Sequence, residues 1–174
     1  PTVMNMVLGT KFKLVMGYKS TAELDIAMER GEVFARSGGS VVGMMQEHPG
    51  WFASKQVTVL TQVGDRREKS LPDVPLMSEL GRNDEQRMLL KLVSSPVALG
   101  RPFMTGPGVP AERVDMLRKA FSASMSDPEF LEEAEKMQLD LNPLSGARVA
   151  EIVEESLATP PELVEKVRAA LATQ

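Results

Sequence analysis

Cysteine is absent from this sequence, which removes disulfides, thiol chemistry and thiolate-ligated zinc together. Aromatic residues are scarce at 5%, so much of the interior has to be filled by Leu, Val, Ala and the 12 methionines. No apolar run approaches the about 18 residues that a membrane-spanning helix needs, and no signal-peptide pattern opens the chain. Excess positive charge is also missing. The net charge is −4, and Lys11, Lys13 and Lys19 are interrupted by apolar residues, so the clustered cations of a nucleic-acid binder are not there. Against these absences, the hydrophobic fraction of 43% and charged fraction of 25% are those of an ordinary globular protein. The 174 residues suffice for one domain, or for a domain and a piece of another. The chain opens at Pro1 without Met, and a processed or truncated piece is expected.

The stretch Lys11 to Ser40 reads as a strand, a helix and a second strand ending in a polar turn. Phe12, Leu14, Val15 and Met16 form a short apolar run suited to a strand buried on both faces. After Gly17, Ser20 stands three residues before Glu23, the spacing of a capping box. Leu24, Ala27 and Met28 supply the apolar face of the helix, and Arg30-Gly31 closes it. Glu32 to Ala35 is the second expected strand, released into Arg36-Ser37-Gly38-Gly39-Ser40. Were the two strands parallel, both polar turns would lie on one rim of the sheet, where open α/β sheets bind ligands. Tyr18, Lys19 and Ser20 on one turn, with Arg36, Ser37, Gly38, Gly39 and Ser40 on the other, are therefore the candidate anion-binding residues. Hydroxyls, amide hydrogens and two cations suit a carboxylate, an ionised acceptor of strong hydrogen bonds. The competing reading of both turns is two ordinary strand-to-helix connections with caps.

Elsewhere, Val3, Met4, Val7 and Leu8 fall at helical spacing before Gly9. Ser40 caps a helix broken by His48-Pro49-Gly50. Val57 to Val63 is the clearest expected strand, rich in β-branched residues. Gly64 to Pro75 is a polar loop, followed by a short helix through Leu80. Asn83 caps a helix to Val93, ended by Ser94-Ser95-Pro96. Arg101 to Thr105 is extended, and Gly106 to Pro110 is a connector. Four amphipathic helices are expected beyond Pro110, two of them opened by Asp127-Pro128 and Thr159-Pro160-Pro161. Leu139-Asp140-Leu141 alternates as an edge strand would.

Other candidate chemistry has a plainer explanation. His48 sits at a helix end, and no G-x-S-x-G elbow supplies it with a nucleophile, so a capping or surface role is expected. Glu132-Glu133 and Glu154-Glu155 are adjacent on helices and do not face one another. Gly64 to Lys69 lacks the phosphate-loop pattern, and the prolines around Gly106-Pro107-Gly108 remove the donors a phosphate nest uses. Neither a metal site nor a cofactor is expected.

The order of segments carries a further signal. VMGYKSTAELDIAMERGEV, then QVTVLTQVGDRREKSLPDVPLMSELG, then PGVPAERVDMLRKAFSASMSDPEF resembles the solute receptors of the tripartite tricarboxylate transporter family, the Bug proteins. The matching residues are Tyr18-Lys19, Gly31-Glu32-Val33, Arg67 with Leu71 to Pro75, and Pro107 to Pro110 through Asp127-Pro128. Ser20 replaces the family's usual glycine, Phe34 stands where aspartate is common, and Leu76 replaces threonine. The family's N-terminal part has no counterpart. The resemblance implies an α/β protein, a periplasmic-binding-protein-like (type II) lobe with a largely parallel sheet flanked by helices. Residues 1–97 would be most of the second lobe, and 98–174 a mainly helical return segment of the first. It further implies a periplasmic, non-enzymatic venus-flytrap receptor that binds a small carboxylate and delivers it to membrane transporter subunits. Nucleic acid is no partner, and a truncated fragment is expected to be able to self-associate. Two rival readings are an α/β enzyme using His48 or the Tyr18 and Arg36 rim, and a helical interaction module.

Overall fold

The computed structural model describes residues 1–139 and 141–172. Nine α-helices occur among them: α1 (Thr2–Leu8), α2 (Thr21–Glu29), α3 (Val41–Glu47), α4 (Pro49–Ala53), α5 (Asp84–Leu99), α6 (Ala111–Ser124), α7 (Pro128–Lys136), α8 (Gly146–Leu157) and α9 (Pro161–Ala172). The expected α/β lobe with its parallel sheet is not formed. The chain is 56% helical and, among the described residues, its only β pairing is one isolated parallel bridge between Gln62 and Leu76. The fold is all-helical, and the venus-flytrap architecture falls with the sheet. The physical reason lies in pairing. Phe12 to Met16, Glu32 to Ala35 and Val57 to Val63 have the composition of strands, but a strand is stabilised by cross-strand neighbours, and among the described residues these segments find none beyond the single bridge at Gln62. The alternating stretch at Leu139-Asp140-Leu141 includes Asp140, which lies outside the described residues.

The helix boundaries follow the side-chain chemistry. Ser20 is extended, and its hydroxyl accepts the Glu23 N–H at 3.2 Å to open α2. Gly31, at φ 73°, ends the helix with its N–H on the Met28 carbonyl, a left-handed turn that costs glycine little. Ser40 opens α3 on the Gly43 N–H, Asp127 opens α7 on the Phe130 N–H, and Ser145 opens α8 on the Arg148 N–H. Helix α5 runs past its expected stop at Pro96 to Leu99.

The chain forms two compact units. One comprises Pro1–Ser94 and the stretch from Pro160, the other Ser95–Thr159. The first has its core where α1, α5 and α9 bring Val3, Val7, Leu89, Leu90, Leu163 and Val167 together with Met77. Leu90 is fully enclosed, a burial that contributes roughly 1.5–3 kcal/mol. Gln86 donates to the Val7 carbonyl at 2.8 Å, and Lys166 of α9 pairs with Glu85 of α5. Beside this core, Gln62 organises the proline loop: its amide donates to the carbonyls of Leu71 and Val74 and accepts the Glu68 N–H. Arg67 donates to the Pro72 carbonyl at 2.7 Å and to the Glu79 carboxylate. In the second unit the buried apolar side chains are Ala134 and Ile152, and Phe103 touches Phe121 with ring centroids 5.7 Å apart.

Candidate functional site

Helix α2 carries a charge on its inward side. Asp25 lies one residue after Leu24 and three before Met28, inside the stripe expected to be apolar, and only 3% of its side chain is exposed. The Arg36 guanidinium, 6% exposed, reaches back from the loop after α2 and sets Nη1 2.5 Å from Asp25 Oδ1. His48, where the chain turns from α3 into α4, puts Nε2 3.2 Å from Asp25 Oδ2. Both carboxylate oxygens are thus engaged, one by a full cation and one by an imidazole. The ring of His48 stacks on Trp51 at 4.0 Å with the planes 11° apart, and Trp51 is itself buried. His48 Nδ1 faces Glu29 at 4.0 Å.

Ions held this far from water need compensation from every side. Here the compensation is incomplete, since Arg36 Nε is buried with no partner among the described residues. The loop is shaped to admit the guanidinium. Gly39 has φ 102°, a backbone that favours glycine, and a Cβ there would press on Arg36 Nη2 at 3.1 Å.

Half of the expected anion-binding residues are engaged within the chain. Arg36 is committed to Asp25. The Ser20 and Ser40 hydroxyls cap α2 and α3. The Lys19 N–H carries the Glu23 carboxylate at 2.8 Å. Tyr18 is half-buried, while the Lys19 side chain, Ser37, Gly38 and Gly39 are exposed. Each of the two turns therefore holds a carboxylate belonging to α2, Glu23 on the first and Asp25 on the second.

Asp25, Glu47 and His48 each offer a ligand atom within 4.8 Å of the others, the spacing of a cation site. The electrostatics oppose that use. A cation would meet the Arg36 charge already on Asp25 and would have to displace the bond between Asp25 and His48. Asp25 and Trp51 were not expected at a site, and His48 only in the rival enzyme reading. The available signal was Asp25 within an apolar helical stripe, but its partners lie 11 and 23 residues away, beyond any local pattern. In the second unit, an open surface groove of about 340 Å³ is lined by Arg118, Lys119, Ser122, Ser145, Gly146 and Ala147 between α6 and the start of α8. Arg118 lies across Gly146, where a Cβ would come 2.6 Å from its Nε.

Comparison with family models, with curated proteins and with solved structures gives no match.

Proposed function

We propose that this chain is a periplasmic solute receptor that binds a small carboxylate and passes it to a tripartite tricarboxylate-type membrane transporter, without catalysis. The observation that carries the reading is the pair of carboxylates held by the two turns: Glu23 on the Lys19 N–H and Asp25 on Arg36. Backbone and guanidinium groups that donate to a side-chain carboxylate suit the carboxylate of a solute by the same chemistry. The exposed first turn is the one open to exchange, because Glu23 is solvated and its bond to Lys19 is replaceable. Further support comes from the loop on which the family resemblance partly rests, since Arg67 and Leu71 to Pro75 are the residues that Gln62 and Glu79 tie together. Titration calorimetry with di- and tricarboxylates, and with their amides as controls, tests the proposal. Saturable heat is expected from the acids alone, and Glu23→Gln should tighten binding by removing the internal competitor. Silence from every acid, with heat from another ligand class, would refute it.

A second reading is acid-base catalysis, favoured by the bond between His48 and Asp25 at 3.2 Å. Its weakness is that the other His48 nitrogen faces a further acid, Glu29, at 4.0 Å. Hydrolysis of activated esters that disappears in His48→Asn would favour it.

A further inference from the structure

The accessible surface is 12435 Å², whereas two independent compact units of these lengths would together expose roughly 10,000 Å². The excess, on the order of 2,000 Å², exceeds the about 800 Å² that each partner buries in a standard protein interface. Part of it is concentrated in two apolar segments of the first unit. Lys13 to Tyr18 runs without turn or bend, and none of its backbone groups hydrogen-bonds within the described chain. Val15 and Met16 are 51% and 74% exposed. Gln56 to Val63 likewise runs without turn or bend, and Thr58 to Leu60 make no backbone hydrogen bond among the described residues. Leu60 is 61% exposed. Apolar residues and free backbone groups together are the features of an unprotected strand edge, which pairs with another chain.

We infer that the protein forms a twofold homodimer in which Lys13–Tyr18 of each copy pairs with the other copy's Gln56–Val63 run at its free stretch, Thr58–Thr61. Charge favours this cross-pairing over self-pairing of the first segment. Self-pairing of the first segment sets lysine against lysine in parallel register, and Lys11 against Lys19 in an antiparallel register centred on Val15. Gln56 to Val63 carries no charge, so it accepts the lysine-flanked segment without repulsion. A twofold axis uses each edge once per copy, closes the pair and leaves no free end to propagate. The inference goes beyond the receptor reading and does not depend on it.

Sedimentation velocity of the whole chain across micromolar to hundred-micromolar concentrations tests it. The expected species has twice the 19.0 kDa chain mass, in concentration-dependent equilibrium with the monomer. Val15→Pro deletes a ladder donor and Leu60→Lys brings a charge into the edge, so each should weaken dimerisation at least tenfold. Helical circular dichroism should be retained in both variants, as neither side chain is buried. Amide exchange in residues 13–18 should slow at least tenfold as the dimer forms. A monomer at every concentration, a dimer indifferent to both substitutions, an open-ended series of oligomers, or unchanged exchange in 13–18 would each overturn the inference.

Discussion

Removing the Arg36 guanidinium is expected to destabilise the first unit more than removing the whole ion pair. In Arg36→Met the Asp25 carboxylate, 3% exposed, keeps only the His48 contact. Breaking a buried pair from one side costs about 3–5 kcal/mol. The same substitution removes the unpartnered Arg36 Nε, relieving about 1–3 kcal/mol of unmet hydrogen bonding. The net expected loss is therefore about 2 kcal/mol. In Asp25→Leu/Arg36→Met no charge is stranded, and stability should return to within about 1 kcal/mol of the starting protein or exceed it. Trp51 is the only tryptophan and stacks on His48, so its fluorescence during urea unfolding reports on this site directly. With an m-value of about 1.5 kcal/mol/M, the midpoint of Arg36→Met should fall by roughly 1.3 M, and that of the double variant should recover. A double variant less stable than the single one, or an Arg36→Met midpoint within about 0.3 M of the original, would refute the reasoning.

Leu90→Ala, at the most enclosed side chain of the first core, should cost about 2–5 kcal/mol in the same assay. The Glu79 carboxyl is held below its ordinary value of 4.5, chiefly by the hydrogen bond from Arg67 and then by the Leu76 N–H. Its contribution is present above pH 4.5 and lost as the pH falls through the lower folded-state value. Amide protection in residues 62–79 should accordingly decline in acid, with a shallower decline in Glu79→Gln. Gly39→Ala, which combines φ 102° with an approach of 3.1 Å to Arg36, should cost about 1–3 kcal/mol in urea. Gly43→Ala meets only ordinary contacts within α3 and should gain about 0.5–1 kcal/mol.

Features whose physics is local were legible in the sequence. Ser20 with Glu23, Ser40, and Asp127 with Pro128 mark the helix starts where they form, because a cap needs only residues within three positions. Gly31 marks the stop for the same reason. The strand expectations went wrong at the next level. The β-branched run at Val57 to Val63 does avoid helix, yet a sheet also requires a second strand in register, and composition cannot specify one. Pro96 was read as a terminator, although α5 incorporates it. At the candidate site, Arg36 was legible as a carboxylate-binding cation. That its carboxylate would be Asp25, and that His48 would take the other oxygen, depended on how the loop and α3 fold back over α2.

Helix α9 places Leu163 and Val167 beside Leu90, so the first unit is assembled from segments on either side of the second. On the ribosome, Ser95 to Thr159 emerges complete while the Leu90 core still lacks a wall. The unfinished unit must wait with Val3, Val7 and Leu89 uncovered until α9 is translated, and this interval is when the nascent chain is most open to chaperones and to misassembly.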